Sequence, residues 1–450
     1  MVCSVNGRHH FSGGYPDRTA KGNVFLLLCP FFLPIRVDYH FYFLPDYFAR
    51  DINGLAVSAF DVFFFMGLGI WLFRIANDRL TAVRLFPRIS IPFLIIWLIS
   101  LAGLIHNSVD GPIAIAVLWQ VLKNLLVFLY VANNLHRLGR FRHILILLLI
   151  MGLVQSFLGL AQFITGGKLG LTMFGEAERS YFEMRAGAEY VSRVAGTLGH
   201  PNKLAVFLNL LLQLNIALLF GVRTARQRLW LWLTLGIMGI AMVLTYSRGG
   251  WLGLIFGGGV TLFWCLYRII GKRTLAMIAV GTISAMIFLS LVIGIPSVRK
   301  RLFENDYGTA ALRVPMSLVA ANTIVHNPLL GVGLNNYTAE SKRYDISDSG
   351  VSYTFPRPVH NEFLLIGAEQ GVIALILFLS ILAQMFIYLF WVANHSPSRY
   401  LSYAAIGFFS GWLGWCLHHQ FEYEYVFFPE FTWVLFGMFQ AMVVWIDSDS

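Results

Sequence analysis

Apolar positions in this chain come in long blocks rather than at one-face spacing. Stretches of about 20 residues, each long enough to cross a ~30 Å hydrocarbon core as a helix, recur from end to end. The pattern predicts about twelve spans, near 23–44, 54–73, 89–107, 112–132, 143–164, 203–221, 229–246, 249–267, 274–296, 363–391, 400–420 and 426–446. The first is the weakest, because Pro30, Pro34, Arg36 and Asp38 interrupt it, which points to a kinked or partly re-entrant segment. Two long polar intervals break the series, at 165–202 and 297–362. Within the second, 309–325 reads as a helix with Thr309 as N-cap. Arg313 and Pro315 interrupt it and it is too short to span, so it is expected at the interface or dipping into the bundle. The expected fold is an all-α polytopic membrane protein, one membrane domain over 1–450, with a large loop bearing short helices between spans nine and ten.

Composition agrees with this pattern. The chain is 57% hydrophobic and 12% charged, with mean hydropathy +0.68, whereas soluble domains carry roughly 25% charged residues. A water-soluble fold has no way to hide so much apolar surface. The net charge of +10 takes its meaning from where it lies. One set of short loops holds Arg74, Arg79, Arg84 and Arg88, then Arg137, Arg140 and Arg142, then Arg223, Arg226 and Arg228, then Arg268, Lys272 and Arg273, then Arg399. The alternate short loops hold only Arg50 and Arg248. By the positive-inside rule both termini are cytoplasmic, and 165–202 and 297–362 face outward. Residues 1–22, with Arg8, His9, His10, Arg18 and Lys21, read as a cytoplasmic tail rather than a cleaved signal. The expected partner of the positive charge is therefore the phospholipid bilayer, not nucleic acid. Cys29, Cys265 and Cys416 lie in apolar runs and Cys3 in the basic N-terminus, a spacing that fits neither a disulfide framework nor a metal site. Buried structural cysteine is expected for the first three.

Charges at the ends of spans need a reason. Arg248 sits in TYSRGGW, residues 245–251, where two spans nearly abut and Gly249 and Gly250 permit the tight turn. Its planar guanidinium suits phosphate oxygens, and equally suits snorkelling to lipid headgroups. Arg313, near the start of the loop helix, carries the same two readings, and a helix N-terminus adds favour for an anion. HNPLLGVGLNNY, residues 326–337, follows, with Gly331 and Gly333 permitting an irregular backbone. It is not a dinucleotide fingerprint, since no strand–helix unit surrounds it. His360 opens span ten in HNEFLLIGAEQG, where water meets the bilayer; it is either a general base or a structural helix-end histidine. Asn361 and Glu362 follow directly and point elsewhere, while Glu369 is a rare acid about 2.5 turns on, able to orient a catalytic group or pair with another helix. Asp61 and Lys123, inside spans, are expected to pair with each other or with carbonyls. Glu422 and Glu424 in FEYEY are weak candidates for a cation. The charged run Glu176, Glu178, Arg179, Glu183, Arg185, Glu189 and Arg193 reads as a solvated loop or a contact for acceptor sugars. No G-x-S-x-G elbow, Walker A loop or H-E-x-x-H helix occurs, and the only D-x-D, Asp447 to Asp449, lies at the C-terminus. That argues against a nucleotide-sugar donor used inside the cell.

TYSRGGW, an arginine before HNPLLGVGLNNY, and HNEFLLIGAEQG, taken in order, resemble the O-antigen ligase/O-antigen polymerase superfamily, most clearly over 190–380; GHPNKLAVF, residues 199–207, resembles its asparagine-containing segment. The resemblance implies transfer of glycan from undecaprenyl pyrophosphate to an acceptor on the periplasmic side of a bacterial inner membrane. The acceptor is lipid A core in ligases and a growing glycan chain in polymerases. It implies an inverting, metal-independent reaction with no cofactor. Arg248 and Arg313 would bind the pyrophosphate and His360 would activate the acceptor hydroxyl, with Asn202, Asn361, Glu362 and Glu369 as supporting candidates. The competing reading is a flippase for the same lipid-linked glycan. It is disfavoured because no internal repeat is visible and the candidate residues gather on one side of the membrane.

Overall fold

The computed structural model describes residues 31–35, 37–43, 52, 54–77, 83–107, 111–135, 138–177, 183–186, 189–270 and 311–449. A strand β1 (Asp38–Phe43) pairs antiparallel with β2 (Gly54–Ser58). The helices α1 (Ala59–Asn77), α2 (Pro87–His106), α3 (Gly111–Asn134) and α4 (Leu138–Thr165) follow. A second small hairpin, β3 (Glu183–Ala186) with β4 (Glu189–Ser192), precedes α5 (Pro201–Gly221), α6 (Ala225–Leu244) and α7 (Arg248–Ile270). Then come α8 (Arg313–His326), α9 (Glu362–His395), α10 (Arg399–His418) and α11 (Glu430–Asp449), with single-turn helices between α8 and α9. Among the described residues eight helices, α1 to α7 and α9, are long and apolar enough to cross a membrane. The protein is a mostly helical, multi-pass membrane protein.

Most of these helices lie within a few residues of the spans expected from the apolar blocks, and their ends are set by local chemistry. His200 caps α5 just before Pro201, Thr224 accepts from Gln227 N at α6, and Ser398 accepts from Leu401 N at α10. The first expected span is corrected: its described second half is β1, which pairs with β2 at Asp38 to His40 and at Tyr42 and Phe43, with a shift in register at Phe41. Span 274–296 and Thr309 lie outside the described residues. The loop helix runs from Arg313 to His326. Asp447 and Asp449 belong to the last turn of α11 rather than to a tail. The interval 165–202 is not simply solvated: Glu176 is buried and accepts from Gln162 Nε2 at 2.8 Å, Leu169 N at 2.9 Å and Leu171 N at 2.6 Å. Cys265 is buried, Cys416 is only half-buried, and Cys29 lies outside the described residues.

In lipid, helices gain little from apolar contact alone, so they associate by close backbone approach and by internal hydrogen bonds. Here α5 is the most buried span and packs against α6, α7 and α10. Small residues bring α7 and α10 together: a Cβ at Gly253 would stand 2.7 Å from Gly414 O, and one at Gly257 2.7 Å from Ser410 O. One polar side chain of α5 is well paired inside the bundle. Gln213 donates to Leu254 O at 3.0 Å and accepts from Thr261 at 2.9 Å. The other half of the molecule packs α3 on α11 and α2 on α9. There Lys123 meets Asp61 at 2.6 Å and Glu430 at 2.7 Å, so the expected Asp61–Lys123 pair exists with a third member.

The loop between α8 and α9 is tied to a break in α9. Gly371 takes φ 82° and ψ 173°, which opens the helix. Val332 N then bonds Ala368 O at 2.9 Å, Gly333 N bonds Glu369 O at 2.9 Å, and Val372 N bonds Pro328 O at 2.8 Å. A Cβ at Gly371 would lie 2.4 Å from Leu329 O, so only glycine admits this contact.

Removing the cation of a buried ion cluster leaves two carboxylates facing each other. Lys123→Ala is expected to cost about 3–5 kcal/mol, seen as a lowered melting temperature in detergent. Joint replacement Lys123→Met, Asp61→Asn and Glu430→Gln should recover most of it; failure to recover would mean that the packing at α3, not the charge, holds this half together.

Candidate functional site

Six helix ends meet at one end of the bundle: the starts of α5, α7, α8 and α9 and the ends of α6 and α10. The chain at 245–251 shows how local sequence sets one of them. Tyr246 adopts φ 49°, turning α6 into α7. Ser247 Oγ then accepts from Gly250 N at 3.2 Å and caps α7. A Cβ at Gly250 would lie 2.7 Å from Ala205 Cβ, so glycine lets α7 start directly against α5. Arg248 is the first residue of α7, and Arg313 is the first residue of α8. Each guanidinium thus sits at a helix N-terminus, where unpaired backbone N–H groups add partial positive charge.

Arg248 and Arg313 line the same small cavity of ≈ 40 Å³, together with Arg193, Asn202, His418 and Glu422. Arg313 also rests over the ring of Phe421, 6.0 Å from its centroid. A hydrogen-bonded chain runs along this cavity. His360 Nδ1 meets Glu422 Oε1 at 2.9 Å. The other oxygen of Glu422 accepts from Asn202 Nδ2. Asn202 Oδ1 accepts from Arg193 Nη2 at 2.8 Å, and Arg193 Nε donates to Thr245 O at 2.8 Å. Burial alone would raise Glu422, yet the hydrogen bond from His360 holds it well below the usual carboxylate range. An ionised carboxylate only accepts, so His360 donates through Nδ1, and in the neutral ring that tautomer places the lone pair on Nε2. Part of the His360 side chain remains open to solvent, 25% of it. His200, by contrast, is pushed down to about 4 by burial, despite the nearby Glu422, and stays neutral.

The remaining candidates have other contacts. Asn361 caps α9, accepting from Leu364 N at 3.0 Å. Glu362 accepts backbone N–H from Glu424 at 2.7 Å, Tyr425 at 3.1 Å and Val426 at 2.7 Å. Glu369 accepts from Asn335 N at 2.8 Å and Tyr337 N at 3.1 Å. His360, Asn361 and Glu362 therefore point three ways, and the two acids of α9 hold loops. Glu424 does not share the cavity with Glu422; its carboxylate lies 3.4 Å from His419 Nε2. Sequence reasoning missed two central residues. Glu422 was weighed only as a cation ligand, although an acid in a short loop on the same side as His360 was the available signal. Arg193 was lost in a run of mixed charge.

Comparison with known proteins adds one finding. Residues 212–379 match the family described as O-antigen ligase, a segment that contains Arg248, Arg313 and His360. No curated relative matches the chain.

The ionisable groups of this end predict a stability window. Glu422 and Glu424 are lowered from 4.5, so what they contribute is present above about that pH and is lost as pH falls through their lower folded values. Burial alone would lower His419 from 6.5, but Glu424 and Glu362 raise it, so its contribution is present below 6.5 and is lost as pH rises through the raised value. The melting temperature in detergent should therefore fall on both sides of that window. His419→Gln should flatten the alkaline limb and weaken the part of the acid limb that Glu424 supplies, while the part from Glu422 remains; an unchanged alkaline slope would remove His419 as its source.

Proposed function

We propose that this chain, a member of the O-antigen ligase/O-antigen polymerase superfamily, is a membrane glycosyltransferase. In this reading it moves glycan from undecaprenyl pyrophosphate to an acceptor hydroxyl at the periplasmic face of a bacterial inner membrane, with both termini cytoplasmic. The acceptor is lipid A core or a growing glycan chain. The observation that carries the reading is the meeting of Arg248 and Arg313 on one cavity with Glu422, the carboxylate bonded to His360.

The chemistry follows from that geometry. The pyrophosphate oxygens sit among Arg248 and Arg313 at the starts of α7 and α8, with Arg193 on the same cavity. The acceptor hydroxyl gives its proton to His360 Nε2, and its oxygen bonds to the anomeric carbon from the face opposite the leaving group. The bond from that carbon to the phosphate oxygen breaks, its electron pair goes to undecaprenyl pyrophosphate, and the anomeric centre inverts. The arginines stabilise the charge that grows on the leaving group, so no metal is needed for that task. Glu422 fixes the His360 tautomer and stabilises the imidazolium that forms, as the carboxylate does in a serine-protease triad. Asn202 and Arg193 hold Glu422 in turn.

Glycan transfer by purified protein, with lipid-linked glycan donor, EDTA, and lipid A core or free repeat units as separate acceptors, tests this. His360→Ala is expected to lose about 10²–10⁴ in kcat. Arg248→Ala and Arg313→Ala are each expected to lose about 10²–10³, and Glu422→Gln to act mainly on kcat with little change in donor binding. Undiminished transfer by His360→Ala would remove it as base. Movement of the carrier across liposomes without any transfer would favour a flippase.

A further inference from the structure

A second and much larger cavity, ≈ 840 Å³, lies beside the small one, between the β1–β2 hairpin and helices α1, α3, α5 and α11. Its size is that of a ligand site. Neighbouring residues of α5 and of the segment after α10 line one cavity and the other. Asn202 and Glu422 face the arginine cavity, while their near neighbours Lys203 and Glu424 face the larger one. Glu424, on the larger cavity, lies two residues from Glu422, which bonds His360.

The lining says what chemistry fits. Phe32, Trp119, Phe207, Phe428 and Phe431 supply flat apolar faces. Between them stand Lys203, Glu424 and Asp38, and the buried Asp61–Lys123–Glu430 cluster forms part of the wall. Aromatic faces interleaved with carboxylate, ammonium and amide groups suit a sugar, which presents C–H faces and a rim of hydroxyls. The same charges suit an isoprenoid tail poorly, since a hydrocarbon chain would displace the water that solvates them and offer no hydrogen bonds in its place. Resting on the transferase reading above, we infer that this cavity binds the carbohydrate of the acceptor. It directs the acceptor hydroxyl to His360 from the side away from the arginines, which is the approach that inversion requires.

Filling the cavity tests this without touching the residues assigned to chemistry. Ala56 on β2 is exposed and Ala116 on α3 is small, and both line the cavity from different elements. Ala56→Trp and Ala116→Phe would be assayed in the full chain at saturating donor, using the acceptor that the transfer assay identifies, and then with donor varied. Both variants should raise the acceptor KM about tenfold while the donor KM stays within about twofold. Ala56→Leu, a milder filler, serves if the bulky variants lose their melting transition, and should give a smaller shift in the same direction. A rise in donor KM alone would assign the cavity to the donor and overturn the inference, and so would unchanged values for both substrates; either result leaves the transferase reading intact. A wild-type chain that transfers nothing would overturn both.

Discussion

The Glu362 carboxylate accepts the backbone N–H groups of Glu424, Tyr425 and Val426, and much of the site's geometry depends on that one set of bonds. Glu362 is buried, so few water molecules compete, unpaired N–H groups would be costly and the carboxylate gathers them. The bonds fix the segment after α10 against the start of α9. Glu422, two residues before the first bonded N–H, is thereby brought to His360, which lies two residues before Glu362. One helix turn thus sets both members of the His–Glu pair. Glu369, two turns further along, does the same for the 335–337 turn through Asn335 and Tyr337.

The electrostatic arrangement has a simple logic. Cations and helix starts are collected on one wall, at Arg248, Arg313 and Arg193, and the ionised Glu422 lies between them and His360. A positive cluster with one internal carboxylate stays short of neutral, so it attracts an anion of high charge while keeping the imidazole oriented. The polar chain runs from His360, which is partly open to solvent, to the main-chain oxygen of Thr245, which anchors its inner end.

Much of this was legible in the sequence, for physical reasons. Spans read easily because the bilayer imposes length and apolarity on every helix that crosses it, and α2 to α7 and α9 answer to that rule directly. The first expected span did not, because Pro34 and the alternation through 38–43 were outweighed by overall hydrophobicity, while pairing of β1 with β2 is a non-local event. Arg248, Arg313 and His360 stood out because charge at a span end demands an explanation. Glu422 and Arg193 did not, because their importance comes from partners 62 and 9 residues away, and nothing in the local run marks them. The holding roles of Glu362 and Glu369 were hidden likewise, since a carboxylate that collects main-chain N–H groups leaves no pattern in the residues it bonds.

The break at Gly371 joins main chain to main chain, through Val332 to Ala368, Gly333 to Glu369 and Val372 to Pro328. Such a joint transmits position and, apart from the glycines its close approach requires at 331 and 371, makes no demand on side chains. The exposed residues of the large loop can therefore change in size or charge without moving the turn at Asn335 and Tyr337. Insertion or loss of a single residue between Pro328 and Gly333 would shift all three bonds at once. The loop is consequently tolerant in composition and strict in length, the behaviour of a part whose register, rather than whose surface, is anchored in the bilayer.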